Sequence, residues 1–321
     1  MAASPAPPPA SMDLRQITYF IHVAELGSFT RASVVLDVAQ PALSRQVRLL
    51  ELELGQPLLV RNGRGVTPTE AGGLLLERGR GILHQLDNLR EELAELGSGT
   101  RGNIALGMPP TLSKVLAVPL VRAVRRHLPG VTLSLSEGLS TTMLQSLAAG
   151  QLDLALVYDG PAQPGIATEA VFEEPLMLFS RASAGAQPVP VPLAALAELP
   201  LVIPRRPNTL RMLVEDALAR LGLKPTVAIE ADGVDAILGL VADGVGYAVL
   251  SEHAMHATPQ PERYLMQSIV SPGLSTRILL ATSSQRPSTR AQHRVMELVR
   301  SDLAAALDPR GHASREPREF W

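Results

Sequence analysis

Cysteine is absent from the 321 residues, and tryptophan occurs once. Without cysteine there can be no disulfide, no thiolate nucleophile and no cysteine-held metal. Long apolar runs are missing too, and none approaches the roughly 18 residues that a membrane span needs. The most apolar stretch, Leu193 to Ile203, is broken by Glu198 and Pro200 and reads as a short helix followed by a buried strand. The opening MAASPAPPPAS has neither a basic start nor an apolar core. It therefore reads as a disordered tail over 1–11 rather than a secretory signal, and the expected location is cytoplasmic. Met12 opens the structured part and is itself a candidate start. No excess of positive charge marks the chain, whose net charge is −2.

Several catalytic signatures are also lacking. There is no GxSxG, no HExxH and no GxxxxGK[ST]. Gly244-Val245-Gly246 precedes its strand instead of following one, so it is not a dinucleotide fingerprint. His253 and His256 could share a helix face but have no third ligand in view, and they read as surface residues rather than a metal site. His84 reads as solvent-facing, and Tyr158-Asp159 as a strand end running into a turn. No enzyme, no metal and no cofactor are expected.

What is present is a chain with 46% hydrophobic residues and a mean hydropathy of +0.15, enough to fill real cores. Asp13 to Leu26 carries a helical stripe (Leu14, Ile17, Phe20, Ile21, Val23, Ala24) stopped by Gly27. Ser28 is a good N-cap for a short helix over Phe29–Leu36. A tight turn over Asp37–Gln40 leads to a third helix from Pro41 to about Leu54, with Leu43, Val47, Leu50 and Leu54 on one face. Gln56 to Thr67 reads as a β-wing whose tip is Asn62-Gly63-Arg64-Gly65.

These pieces make a winged helix-turn-helix over 12–69. Small residues, Ala32 and Ser33, stand where its helices meet. Leu36, Val38, Leu43 and Val47 lock the second helix of the motif. Gln40, Ser44, Arg45 and Arg48 then point outward from its front, and Gln and Arg make bidentate contacts to adenine and guanine edges. Ser28, Thr30 and Arg31 sit where the first helix meets a phosphate strand. Arg64 at the wing tip suits a minor groove. Placement carries the argument, because total charge does not. Between Met12 and Glu70 the arginines (Arg15, Arg31, Arg45, Arg48, Arg61, Arg64) are matched by Asp13, Glu25, Asp37, Glu51, Glu53 and Glu70.

Thr69 to Leu96 is one long helical pattern. Leu75, Gly79, Ile82, Leu86, Leu89, Leu93 and Leu96 are spaced 4-3-4-3-4-3, a heptad seam that wants a partner helix. Gly97-Ser98-Gly99 reads as a hinge, giving a linker and dimerisation helix over 70–99. From Gly102 onward strands and helices alternate, which predicts α/β architecture with mostly parallel sheets. The final helix, from Gln292 to Leu307, follows a strand that returns to the first subdomain. The prediction is two lobes with two crossing connections: a two-lobed α/β domain over 100–310, with lobe 1 at about 100–178 and 274–308, lobe 2 at about 179–273, and a flexible tail over 311–321.

The segment MDLRQITYFIHVAELGSFTRASVVLDVAQPALSRQVRLLELELGQPLLVRNGRGVTPTEAG resembles the N-terminus of LysR-type transcriptional regulators. GNIALGMPPTL, GQLDLALVYD and DGVGYAVLSEHA resemble landmarks of that family's two-lobed effector domain of the periplasmic-binding-protein type. LVRNGRGVTPTEAG together with QLDLALVYD is similar to its nitrogen assimilation control subgroup. The resemblance covers nearly all the chain after the tail. It implies a promoter-binding regulator that pairs through the linker helix, associates further to a homotetramer and responds to a small-molecule effector. RNA polymerase stands open as a further partner.

The resemblance places base and phosphate contacts at Gln40, Pro41, Ser44 and Arg45, with the wing arginine at Arg64. It places the effector-binding residues at Pro110, Thr111, Leu112 and Glu137 in the first lobe and at Arg206, Asn208 and Thr209 in the second. Thr111 reads either as an anion-binding hydroxyl at a helix start or as a plain N-cap. Arg205 and Arg206 suit an acidic effector or a solvated loop. Two positions depart from the family pattern. Ser33 stands where alanine is usual, and Ser251 where proline is frequent. The competing reading is a cytoplasmic small-molecule-binding α/β protein without specific DNA binding.

Overall fold

The computed structural model describes residues 12–63, 65–95 and 100–307. Arg64, Leu96, the Gly97–Gly99 hinge and both tails lie outside the described residues. The chain divides into two compact units, one built on the residues up to Arg90 with Ala149–Gln151, the other on the remainder.

In the first unit, helix α1 spans Leu14–Leu26. Asp13 caps it, accepting from Arg15 N, while the Gln16 side chain accepts from Asp13 N. This reciprocal arrangement satisfies two of the helix's orphan donors. Helix α2 (Phe29–Val35) starts at its cap Ser28, and α3 (Gln40–Leu54) carries Pro41 in its first turn. Strands β1 (Leu59–Asn62) and β2 (Gly65–Pro68) form the antiparallel wing. The core is Ile17, Phe20, Ile21, Val47, Leu50 and Leu58, continued by Val23, Ala32 and Leu43. Burying each Val, Leu, Ile or Phe side chain among them is worth about 1.5–3 kcal/mol. Ser33 is buried, and its hydroxyl donates back to Thr30 O at 2.9 Å.

Helix α4 runs over Glu70–Glu95. Its seam is divided between two uses. Leu75 packs on the head core with Leu76 and Leu83. A Cβ at Gly79 would stand 3.0 Å from Ile17, so this position too faces the head. Ile82, Leu89 and Leu93 remain exposed. The expectation that the whole stripe awaits a partner is therefore corrected at its N-terminal end. His84 is half-buried and meets Asn88 Nδ2 through its Nε2 at 3.3 Å, instead of facing solvent.

The second unit contains β3 (Gly102–Met108), α5 (Pro110–His127), β4 (Val131–Glu137), α6 (Ser140–Ala148), β5 (Leu154–Tyr158), β6 (Ile166–Arg181), β7 (Val191–Pro192), β8 (Pro200–Ile203), α7 (Thr209–Ala219), β9 (Thr226–Glu230), α8 (Val234–Ala242), β10 (Ala248–Ser251), β11 (Tyr264–Val270), β12 (Ser275–Ser283) and α9 (Arg290–Leu307). The strands order as β4-β3-β5-β12-β6-β11-β7, with β10 also on β6, and β8 pairs β9 separately.

The sheets are mixed, which corrects the mostly parallel prediction. β3 runs parallel to β4 and β5, but every pairing of β6 and β12 with strands other than each other is antiparallel, as is the β6–β12 pairing itself. β6 is the joint of the unit. Ile166–Pro175 pairs with β12, and Leu176–Arg181 continues between β10 and β11. The second crossing connection is the passage from β11 to β12. Helix α9 returns to the first half, where Gln292 Nε2 donates to the buried Asp153 at 3.1 Å while Asp153 accepts from Ala105 N at 2.8 Å.

Candidate nucleic-acid interface and ligand cleft

The outward face of α3 follows from its inward one. Leu43, Val47 and Leu50 are buried at helical spacing, so residues four apart on the other side share a face. Gln40, Ser44 and Arg48 form one row, with Pro41 and Arg45 beside it. Pro41, Arg45 and Arg48 are exposed, and Gln40 and Ser44 half-exposed. The helix starts without a side-chain cap. Its first backbone N–H groups thus have no side-chain acceptor of their own and carry the partial positive charge of a helix N-terminus.

The other head residues divide by what holds them. Ser28 is engaged as the α2 cap, accepting from Arg31 N at 3.3 Å. Arg31 donates to the Leu26 carbonyl at the end of α1, and Thr30 is exposed. The wing is fixed by a contact that sequence reasoning missed: Arg61 lies over the Phe29 ring, 5.1 Å from its centroid. A cation on an aromatic face at that distance is attractive. An arginine on a wing arm with a phenylalanine after the N-cap was the available signal.

The second unit holds an open cleft with about 670 Å³ of atom-free space, its mouth included. Pro109, Pro110, Thr111, Gly138, Leu139, Ser140 and Tyr158 line one side, and Pro204, Asn208, Thr209, Leu210, Gly233, Val234, Ile237, Val249 and Leu250 the other. The helices α5, α6, α7 and α8 all begin at this lining. No charged side chain is among the lining residues. A ligand here meets apolar walls, a few hydroxyls and backbone N–H ends.

Of the residues expected in the cleft, Pro110, Thr111, Asn208 and Thr209 line it. Three do not. Leu112 is fully buried in the core. Glu137 receives a hydrogen bond from Ser113 Oγ at 2.5 Å. Arg206 is held by Glu215 at 2.5 Å, as Arg205 is held by Asp232. Thr111 is not the N-cap, a place taken by Pro109. Its hydroxyl instead lies 3.0 Å from the Tyr158 hydroxyl. Asn208 is the cap of α7, accepting from Leu210 N at 3.0 Å and Arg211 N at 3.2 Å.

Tyr158 and Ser140 were missed, although Ser140 opens a helix that follows a strand. Tyr158 is buried at the end of β5, and Ser140 Oγ accepts from its backbone N–H at 3.0 Å. Asp159 does more than close a turn, since it accepts from Arg277 Nε at 2.8 Å. Ser251 keeps the backbone that a proline would impose, at φ −64°. The surface reading of His253 is overturned. It is buried, with Nε2 3.5 Å from Glu174 Oε2. The His256 side chain lies outside the described residues. Among the described residues no three potential metal ligands cluster, and no helix is long and apolar enough to cross a membrane.

A helix-turn-helix with a polar reading face, followed by an α/β unit that holds a cleft, defines a DNA-binding regulator with a ligand-binding domain. Comparison with known proteins makes this specific. Residues 14–73 match the model of the bacterial regulatory helix-turn-helix protein, lysR family, and residues 97–304 that of the LysR substrate binding domain. The nitrogen assimilation regulatory protein nac of Klebsiella aerogenes is 34% identical over 90% of this chain and 95% of its own. Its namesake in Escherichia coli K12 is 32% identical over 92% and 97%. The solved structure of CbnR, a LysR family transcriptional regulator, is similar with a TM-score of 0.71 at 26% identity, over 91% of this chain and 99% of that one. CbnR complexed with its target DNA gives 0.70 at the same identity, over 91% and 100%. The chain belongs to the LysR family of transcriptional regulators. It is a transcription regulator with a helix-turn-helix DNA-binding domain and an effector-binding domain.

Proposed function

We propose that this regulator reads its operator with the α3 front. In this reading Gln40, Ser44 and Arg45 reach base edges, and Pro41 and the α3 N-terminus meet a phosphate. Arg48, Thr30, Arg31 and Ser28 track the backbone, and Arg64 enters the minor groove from the wing. The observation that carries this is the contrast across α3, buried at Leu43, Val47 and Leu50 and polar on the opposite face. Two heads pair through the exposed Ile82, Leu89 and Leu93 of α4, and the dimers associate to a tetramer.

The cleft takes a small effector gripped at Pro110, Thr111, Asn208 and Thr209. Its uncharged lining favours a ligand held by hydroxyls and backbone N–H groups over one held by an arginine pair. The protein works in the cytoplasm and without catalysis. DNase footprinting of the full chain on the region upstream of its own gene and its neighbours tests the reading. Sequence-specific protection is expected, and its absence at every salt concentration overturns it.

A further inference from the structure

One buried carboxyl is not used by any role described so far. Glu174 has no solvent exposure. It stands on β6 opposite Thr276 of β12, two residues before β6 takes up its pairing with β10 and β11. No hydrogen bond of ordinary geometry closes on either carboxylate oxygen, and the Ser251 and Thr276 hydroxyls nearby are equally unsatisfied. The nearest basic group, His253 Nε2, stands 3.5 Å from Oε2, and a carboxylate buried without a closed hydrogen bond is disfavoured in its ionised form, so Glu174 keeps its proton.

The groups facing it come from each packed element. Tyr158 arrives from β5, Ser251 from β10, Glu252 and His253 from the 3-10 turn after β10, and Thr276 from β12. On α5, Thr111 is reached only through Tyr158, and Lys114 is engaged by Asp235.

Tyr158 connects this group to the cleft. Its hydroxyl touches Thr111 on the ligand side and stands beside Glu174 and Ser251 on the buried side. We infer that Glu174 is a positioning residue for the cleft, acting through Tyr158, and that its proton sets whether the Tyr158–Thr111 pair offers the ligand a donor or an acceptor. When Glu174 is protonated, its O–H can donate to the Tyr158 oxygen, and the Tyr158 proton is then directed toward Thr111 and the cleft. When Glu174 is ionised it accepts a hydrogen bond from the Tyr158 hydroxyl, Thr111 can then donate to the Tyr158 oxygen, and this pair offers the ligand an acceptor.

Burial is the main cause that pushes the Glu174 carboxyl up to about 8, helped by the charge of Glu252 and opposed by the Tyr158 and Ser251 hydroxyls. At neutral pH the floor is therefore a donor, and it suits ligands that present an acceptor oxygen, such as a carbonyl or carboxylate. This ligand preference rests on the cleft being the effector site. The protonation of Glu174 does not.

The test needs no ligand. Carboxyl carbon resonances of the full chain labelled with ¹³C-glutamate are followed from pH 4 to pH 10. One glutamate should titrate near 8, and its signal should vanish in Glu174→Gln. Tyr158→Phe should move that titration further up, because it removes a hydroxyl that favours the ionised form, an effect that a merely space-filling role would not produce. The folded pKa is raised, so Glu174 should make stability fall as pH rises from about 4.5 to about 8, and this part of the fall should be lost in Glu174→Gln. If no glutamate titrates above pH 6, the inference is wrong, and the wild-type titration decides this even if Glu174→Gln fails to fold. A titration near 8 that Tyr158→Phe leaves in place would overturn the coupling to the cleft.

Discussion

The carbonyl of Gly27 accepts a hydrogen bond from Val66 N–H at 3.0 Å, which ties the second strand of the wing to the turn between α1 and α2. Gly65 passes over the same carbonyl with φ +137°, and a Cβ there would lie 2.6 Å from the Gly27 oxygen. Gly65→Ala should therefore cost about 1–3 kcal/mol through strain and displace the wing. Gly63, with open space around it, is the control. Thermal unfolding followed by circular dichroism should show a lowered head transition for Gly65→Ala and little change for Gly63→Ala. Equal effects would mean that the wing is not fixed through this contact.

Arg45 and Arg48 lie on neighbouring rows of α3, and their proposed roles differ. Arg45→Ala should cost about 1–3 kcal/mol at the cognate site and relax base choice at one position. Arg48→Ala should weaken binding to all sequences alike and reduce the salt slope by about one. Gel-shift titrations on the operator and on single-base variants separate the two. A uniform loss for Arg45→Ala would make it a phosphate contact.

The divided α4 seam predicts two phenotypes on one helix. Leu89→Asp with Leu93→Asp should dissociate the oligomer and leave the head's melting temperature close to that of the parent. Leu75→Ala should instead lower head stability, because Leu75 packs on Ile17, Phe20 and their neighbours. Sedimentation equilibrium and thermal melts distinguish them. An unchanged mass for the double aspartate variant would remove α4 from the dimer contact.

Asn208 caps α7 with both Leu210 N and Arg211 N on its side-chain oxygen. Asn208→Ala should cost about 1 kcal/mol of effector-domain stability, and Asn208→Asp should largely restore it. Differential scanning calorimetry reads both. If Asn208→Ala were neutral, the side chain would be held in the cleft lining for a reason other than the cap.

The elements were legible because their punctuation is local. Gly27, Ser28 and Pro41 mark helix ends whatever the fold, and helical periodicity places Leu43, Val47 and Leu50 on one face. β6 was only partly legible. Ile166–Pro175 carries exposed acids and a proline, so its pattern does not announce a strand, and its extended form depends on β12 more than a hundred residues away. The cleft was half legible for the same reason. Thr111 and Asn208 stand at helix starts, which sequence shows. That Tyr158 meets Thr111 and that His253 is buried against Glu174 are pairings across the fold, and no spacing encodes them, whereas Arg206 turns to Glu215 only nine residues on.

The uncharged lining of the cleft has a practical consequence. Binding at the head involves phosphate neutralisation and counterion release, so it should fall steeply with ionic strength. The cleft has no charged side chain for counterions to screen. Salt concentration then acts mainly on DNA binding by the head. Operator affinity can be tuned over orders of magnitude, and for an uncharged effector bound in the cleft the same titration leaves its direct contacts largely unscreened.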